Sequence, residues 1–309
     1  MREFHILSVP QKTRSEQKRG WDCNGIETEA DWWARDCNKP TWKDLLVPAV
    51  IVFVLALATW VPAFASDSKS GHCEQMFANG QSPKVVKPAI VNNQTERPAF
   101  FCHRLYAIEH SGSRHTAYWS AEKLDGKRMG IAAQRVDAFK PNPKLSWNES
   151  SKIEDYTHSG YDKGHLAPVG DMHGDAEAML ESFYLSNMIP QVPGNNRDGW
   201  SQFESYVREM AQARGMLYVV TGPVYLNKPI LTIGVSEVAV PSHIFKVIYD
   251  PKANAVLSVM VPNKPFTLRD LPKYVVDLAS MQKATGVNML PGLSIVKSSS
   301  SMWTRMSSN

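Results

Sequence analysis

Chemically useful side chains are densest in residues 161–168, whose sequence is YDKGHLAP. Within it an acid, a cation and an imidazole stand together at Asp162, Lys163 and His165. Hydrolysis of a phosphodiester needs a base for water, a cation for the charge on the phosphoryl oxygens, and an acid for the leaving oxygen. His165 suits the base because an unperturbed imidazole has a pKa of about 6.5. Gly164 would let the backbone approach a neighbouring strand or the substrate closely.

Motifs of other enzyme classes are absent from the sequence. It contains no HExxH, GxSxG, GxxxxGK[ST] or GxGxxG pattern, which excludes zincin proteases, serine hydrolases, P-loop proteins and dinucleotide-binding folds. His158, His165 and His173 with Asp171 match no common zinc spacing. We expect His158, His173 and His243 to be structural.

A sparse metal site is predicted in residues 195–204. Mg²⁺ takes oxygen ligands at ~2.1 Å and usually keeps several waters. Asn196 and Glu204 would lie about 12 Å apart along a helix axis, which is too far for both to bind one ion directly. We therefore expect Asn196 as the direct ligand, with Asn195 as the alternative, and Glu204 acting through metal-bound water. Trp200 is expected in the core.

Apolar patterns predict the elements that position these residues. A turn cluster at 111–113 separates two β-type segments and indicates a hairpin, and three richer strands follow later in the chain. Because strands and helices do not alternate regularly, we expect an α+β fold. The predicted strands are 105–108, 116–119, 217–221, 244–249 and 255–261, and the predicted helices are 176–186, 200–214 (capped by Asp198) and 268–284.

The run Asp162-Lys163-Gly164-His165 resembles the DRGH signature of the DNA/RNA non-specific endonucleases, the family of endonuclease G. The resemblance extends in consistent order from about residue 100 to 261. Its further matching segments are 183–191, 196–200, Glu204, 221–225 and 240–246.

This resemblance implies a ββα-metal (His-Me finger) fold with a central, mainly antiparallel sheet flanked by helices. It implies Mg²⁺-dependent hydrolysis of DNA and RNA, with Mn²⁺ as a substitute ion. His165 would be the general base, Asn196 the metal ligand, Glu204 the anchor of metal-bound water, and Asp162 the residue that orients the motif. The alternative for Asp162 is a purely structural role, in which its carboxylate accepts backbone hydrogen bonds in a turn.

Cations for the scissile phosphate come from three places. The family uses an arginine upstream of the signature, for which Arg135 is the best match and Arg128 the fallback. Lys163 replaces the arginine of the signature, so a compact point charge stands where a bidentate fork is usual. Arg197 is expected to be exposed, where it would meet either phosphate or solvent.

Two other functions remain open from the sequence. One is a phosphodiesterase of narrower substrate range. The other is a membrane-tethered nucleic-acid-binding protein whose nuclease site is impaired, which the lysine at position 163 motivates. An inhibitor protein and a homodimer are also left open.

The N-terminal third has a targeting segment. Residues 45–65 carry no charge over 21 positions, which is long enough to span a membrane. It is either an anchor or a signal cleaved after the small-x-small run 63–65. We expect a disordered arm at 1–44, a strap containing Cys73 at 66–98, an endonuclease domain at 99–290 and a polar tail at 291–309.

Cysteines indicate the compartment, because the two that follow the apolar segment, Cys73 and Cys102, are the only ones in the rest of the chain. They predict a disulfide formed in an oxidising space, with two free buried thiols as the alternative. The catalytic domain is therefore predicted to be periplasmic, secreted or anchored outside the cytoplasm. The formal net charge of +4 over 309 residues does not by itself indicate a nucleic-acid partner.

Overall fold

The computed structural model describes residues 73–91, 94–129 and 137–294, together with the strand residues 20–21, 27–28 and 297–298. The predictions for the apolar segment 45–65 and for Arg135 concern residues outside this set, and so does most of the prediction for the arm 1–44. Residues 1–64 and 65–309 form separate units, and in the first only the antiparallel pair Gly20–Trp21 with Glu27–Thr28 is described. Among the described residues, no helix has the length and apolarity needed to cross a membrane.

A seven-stranded sheet is the centre of the second unit. Its strands lie in the order Lys297–Ser298, Ala255–Pro262, His243–Asp250, Met216–Val224, Thr116–Asp125, Tyr106–Ser111 and Ala99–Cys102. Neighbouring strands are antiparallel except the first two of this order, which run parallel. The predicted α+β fold with a mainly antiparallel sheet is therefore confirmed. The labelled strands are β1 (Lys84–Val85), β2 (Ala99–Cys102), β3 (Tyr106–Ser111), β4 (Thr116–Asp125), β5 (Asp162–His165), β6 (Met188–Gln191), β7 (Met216–Val224), β8 (Thr232–Ile233), β9 (Val238–Ala239), β10 (His243–Asp250), β11 (Ala255–Pro262), β12 (Val287–Asn288) and β13 (Lys297–Ser298), and Ile90–Val91 pairs with Gln94–Thr95.

Among the described residues, all helices but one are short. The α-helices are α1 (Ile153–Tyr156), α2 (Ala176–Ser182), α3 (Ser201–Arg214) and α4 (Leu278–Thr285). A wide π-helical turn, Asn195–Trp200, leads directly into α3. Turns of 3-10 helix are Glu74–Met76, Ala78–Gly80, Val169–Asp171, Leu185–Asn187 and Leu268–Tyr274.

The sheet is buried on both faces. On one face Leu124, Val219 and Ile248 pack under Phe203 and Val207 of α3. The alternation of side chains along a strand sends every second residue to this face. It is also the face against which the residues next to the motif 162–165 pack, among them Leu166, Ala167 and Ile189.

The opposite face is covered by the strap. Cys73 is bonded to Cys102 at the end of β2, as predicted, and Phe77 packs edge-on against Trp119 with ring centroids 6.1 Å apart. Strand β1 of the strap pairs with β12 near the end of the domain. The strap therefore joins both ends of the domain on the side away from α3.

The helices differ from their predicted limits for local reasons. The segment predicted as one helix at 268–284 is a 3-10 turn followed by α4, because Pro272 lacks an N–H donor and the Val276 N–H bonds instead to the Ser258 carbonyl. The prediction that Asp198 caps the long helix is wrong, since helical backbone already begins at Asn195.

Candidate active site

Two short strands and a helix carry the predicted catalytic residues. Strand β5 pairs antiparallel with β6, so that His165 lies opposite Met188 and Asp162 opposite Gln191. Four residues after β6 the chain enters the π-helical turn and then α3. The signature and the predicted metal ligand thus meet in one ββα unit.

The Phe139 ring contacts two side chains of the motif, Lys163 and His165. Lys163 and His165 point to the same side of β5 because they are two residues apart. The Lys163 Nζ lies 4.8 Å from the centroid of the Phe139 ring, and the His165 ring lies 5.8 Å from it. Phe183 meets the His165 ring edge-on at 5.2 Å. These aromatic contacts hold the imidazole in a defined orientation.

Gly164 is needed for a close approach on the other side of β5. A Cβ at this position would overlap the side chain of Gln191. The Gln191 amide in turn donates from Nε2 to the Asn195 Oδ1 at 2.6 Å. The Asn195 Nδ2 donates to the carbonyls of Pro262 and Lys264. Both ends of the buried Asn195 amide are therefore occupied, and it is Asn196 that lines the cleft.

Asp162 is held by two residues of the π-helical turn. Arg197 donates from Nη2 to Oδ1 at 2.6 Å and from Nε to Oδ2 at 2.8 Å, and the Asn196 Nδ2 donates to Oδ2 at 3.0 Å. Partial burial raises the pKa of Asp162, but these hydrogen bonds and the charge of Arg197 outweigh it and hold the pKa below its ordinary value. Arg197, exposed as predicted, is paired with Asp162 at the edge of the cleft.

The orientation of the Asn196 amide follows from this contact. A carboxylate only accepts hydrogen bonds, so the Asn196 nitrogen must face Asp162. Its oxygen then points away from Asp162, as a metal ligand requires.

Glu204 and Arg208 continue the face of the helix that bears Asn196. Burial raises the pKa of Glu204 to about 7, with a contribution from the Asp171 carboxylate, while Lys246 and Arg208 oppose the rise. The Arg208 Nη1 donates to the Asp171 Oδ1 at 2.9 Å. Sequence reasoning missed Arg208, although its position one turn after Glu204 was a signal for it.

These side chains surround a cleft of about 600 Å³. His173, which was expected to be structural, also lines it, while Arg128 bonds the His173 carbonyl at 2.9 Å. Trp200 is buried in the core, as predicted. The cleft residues are Phe139, Tyr161, Asp162, Lys163, His165, Pro168, Val169, Gly170, His173, Met179, Asn196, Arg197, Ser201, Glu204 and Arg208.

Comparison with known proteins agrees with this geometry. Residues 88–294 match the model of the DNA/RNA non-specific endonuclease family. The chain belongs to this family. The matched segment includes the strap from residue 88 onwards and every described residue of the cleft, and it is longer than the segment 100–261 that carries the resemblance in the sequence.

Relatives of this endonuclease-family chain include both mitochondrial and bacterial proteins. It is 36% identical over 204 residues to the mitochondrial nuclease EXOG of Xenopus laevis, a match covering 61% of this chain and 57% of that one. It is 31% identical over 265 residues to a nuclease of Nostoc, covering 80% and 90%. The chain thus spans less than two thirds of the EXOG relatives.

Among solved structures, EndoG in the EndoG/EndoGI complex superposes with a TM-score of 0.57 at 30% identity. That match covers 61% of this chain and 84% of EndoG. The ββα-metal fold predicted for this endonuclease family is therefore confirmed.

The donor set of this family member fits a hard divalent cation. Within the described ranges no group of three His, Cys, Asp or Glu side chains could hold a metal ion, so a zinc-type site is not formed there. The amide oxygen of Asn196 is a donor that Mg²⁺ or Mn²⁺ accepts while keeping most of its waters, and the carboxylate of Glu204 is an acceptor for such a water.

Proposed function

We propose that this protein is a divalent-metal-dependent endonuclease that hydrolyses the phosphodiester bonds of both DNA and RNA. The observation that carries the proposal is that His165, Asn196 and Glu204 line one cleft on a ββα unit. Membership of the DNA/RNA non-specific endonuclease family supports it.

His165 has the role of general base. Its ring, held by Phe139 and Phe183, takes a proton from water as the water oxygen attacks phosphorus. The bond from phosphorus to the 3′ oxygen breaks, and that oxygen takes a proton from solvent water, to which His165 then releases its own, leaving a 5′-phosphate and a 3′-hydroxyl. Asn196 and Glu204 would hold Mg²⁺, or Mn²⁺ in its place, which supplies Lewis-acid stabilisation of phosphoryl charge.

Cations on the cleft wall bind the phosphate. Lys163 and Arg208 both line the cleft, while Arg197 is engaged with Asp162 and fixes the motif. Arg135 keeps its proposed role as the upstream arginine. Because such contacts are made to the backbone, binding is independent of sequence and weakens steeply with salt.

We also propose that the domain acts outside the cytoplasm, exported or anchored by residues 45–65. The Cys73–Cys102 disulfide supports this because such bonds persist in oxidising compartments. Cell fractionation with protease protection of the domain tests it. An inhibitor protein that covers the cleft is proposed by analogy with the relative solved as the EndoG/EndoGI complex.

A nuclease assay tests the proposed function. Purified protein is incubated with supercoiled plasmid, total RNA and a small chromogenic diester, with Mg²⁺, Mn²⁺ or EDTA. We expect plasmid and RNA to be cleaved with either metal and spared in EDTA. Cleavage of the small diester alone would instead favour the narrower phosphodiesterase, and binding without cleavage would favour an impaired site that Lys163→Arg should restore.

A further inference from the structure

Lys246 is a buried lysine at the centre of the sheet. It lies in β10 and is 1% exposed. Lysine is almost never fully buried unless it is paired, since removing an ammonium from water is costly. The ammonium group of Lys246, buried beneath the candidate active site, must therefore have partners that offset this cost.

Two contacts fix the ammonium group of Lys246. The Nζ donates to the Thr221 Oγ1 at 2.7 Å, and Thr221 lies directly opposite Lys246 on the neighbouring strand β7. The same Nζ lies 5.3 Å from the centre of the Trp200 ring. Lys246 thus reaches from the sheet to the underside of the helical segment above it.

Trp200 links Lys246 to the residues that line the cleft. It follows Asn196 by four residues and precedes Glu204 by four, so it lies about one helical turn from each. Its ring is 1% exposed and packs edge-on against Phe203 at 5.8 Å. Any shift of this ring would therefore move the backbone that carries both oxygen donors.

Three elements packed around Lys246 carry ionisable side chains: strand β4, the 3-10 turn Val169–Asp171 and α3. Glu122 of β4 is 2% exposed, and burial raises its pKa while the charge of Lys246 opposes that rise. Asp171 and Arg208 form the ion pair described above, and Glu204 completes the group. Lys246 and Arg208 are thus cations that offset three acidic side chains located between the sheet and α3.

We propose that Lys246 is a positioning residue for the metal site: by its contacts with Thr221 and Trp200, it fixes the distance between the sheet and the helical segment that carries Asn196 and Glu204. The inference rests on the proposed function. Residues that orient metal ligands typically affect metal affinity by about 10–100-fold. Lys246 touches neither substrate nor metal, so its effect is expected on metal binding and not on nucleic-acid binding.

The test replaces Lys246 by Met, which keeps an unbranched side chain of similar length and removes the ammonium group. Binding of Mn²⁺ to the full chain is measured by electron paramagnetic resonance without nucleic acid. We expect about 10–100-fold weaker binding, an unchanged affinity for DNA in EDTA, and a reduced kcat at unchanged KM that excess metal restores. A merely structural role would not produce this recovery by metal.

Two further variants keep the test decisive. Lys123→Met makes the same change on β4, where the side chain faces the opposite side of the sheet, and should leave Mn²⁺ affinity unchanged. Thr221→Val removes the acceptor of Lys246 with little change of shape and should weaken Mn²⁺ binding in the same direction. If K246M does not fold, T221V decides the question.

Unchanged Mn²⁺ affinity in folded K246M, or in T221V where K246M fails to fold, would overturn the proposal. A wild-type protein that binds Mn²⁺ but cleaves no nucleic acid would overturn the proposed function and leave the role of Lys246 standing. The two failures are therefore distinguishable.

Discussion

The side-chain amide of Asn196 donates to the carboxylate of Asp162 at 3.0 Å, across 34 residues of sequence. Arg197 holds the same carboxylate from its other side. Asp162 therefore holds both the proposed metal ligand, Asn196, and the next residue of the π-helical turn. This contact keeps the Asn196 side-chain nitrogen towards Asp162 and leaves the side-chain oxygen on the other side, where it can bind a metal ion.

Replacing Asp162 by Asn should weaken metal binding. An amide at 162 can donate to the Asn196 oxygen, so the Asn196 side chain loses its fixed orientation, and the ion pair with Arg197 is lost. We expect roughly tenfold or greater weakening of Mn²⁺ affinity, measured by calorimetry. Asp198→Asn, at an exposed position in the same turn, is the matched control. Equal affinities in the two variants would contradict the role of Asp162.

Replacing His165 by Ala should remove the general base and leave folding and DNA binding intact. We expect the cleavage rate to fall by about 10²–10⁴-fold, measured on plasmid in Mg²⁺. His158→Asn is the control, because Asn tolerates the positive φ of 56° at that position. Wild-type rates in the His165 variant would show that another group activates water.

Replacing Lys163 by Gln should weaken nucleic-acid binding uniformly over sequences. One fewer phosphate contact lowers the slope of log K against log salt by about 0.9 for duplex DNA. Fluorescence anisotropy in EDTA, where cleavage is prevented, measures this slope. Lys163→Arg should retain it, and Lys283→Gln on α4 should not change it. An unaltered slope in Lys163→Gln would place Lys163 outside the phosphate contacts.

The raised pKa of Glu204 predicts a pH dependence of stability in EDTA. Since its pKa is about 7 when folded against 4.5 for the ordinary group, the folded state holds a proton that the unfolded state releases between these values. The free energy of unfolding should therefore decrease as the pH rises from 4.5 to 7, by on the order of 3 kcal/mol from this group. Urea titrations at both pH values measure the decrease.

Glu204→Gln should flatten that decrease, whereas Glu209→Gln, exposed on the same helix, should preserve it. An identical pH profile in wild type and Glu204→Gln would show that Glu204 does not titrate in this range.

Loss of the disulfide should destabilise the domain without changing the active site. The bond between Cys73 and Cys102 closes a loop with a sequence separation of 29, for which chain entropy gives about 3–4 kcal/mol. The double Ser variant should lose this amount in urea unfolding. Its cleavage rate at low temperature should stay at the wild-type value, because the strap lies on the face of the sheet away from α3.

Much of the fold could be predicted because its signals are local. The strands β7, β10 and β11 are long and apolar, and each prediction lay within a few residues of the observed strand. The disulfide followed from counting cysteines after the apolar segment. The order of motifs around Asp162 and His165 indicated the family before any contact was known.

The short strands β5 and β6 escaped prediction because four residues are too few to show an alternating pattern, and they are fixed by pairing with each other. Phe139 and Arg208 lacked a motif, and Lys246 closes the matching segment 240–246 without any sign of its role there. That role depends on Thr221 and Trp200, which are distant from it in sequence.

By itself, the sequence determined the family and the type of chemistry and singled out His165 as the candidate base, because these depend on residue types and on their order. Tertiary structure decided which of Asn195 and Asn196 faces the cleft, how Asp162 orients the amide, and that a buried lysine lies under the helical segment that carries the proposed metal ligands. The physical reason is that hydrogen bonds and buried charges depend on positions in space, which sequence spacing does not specify.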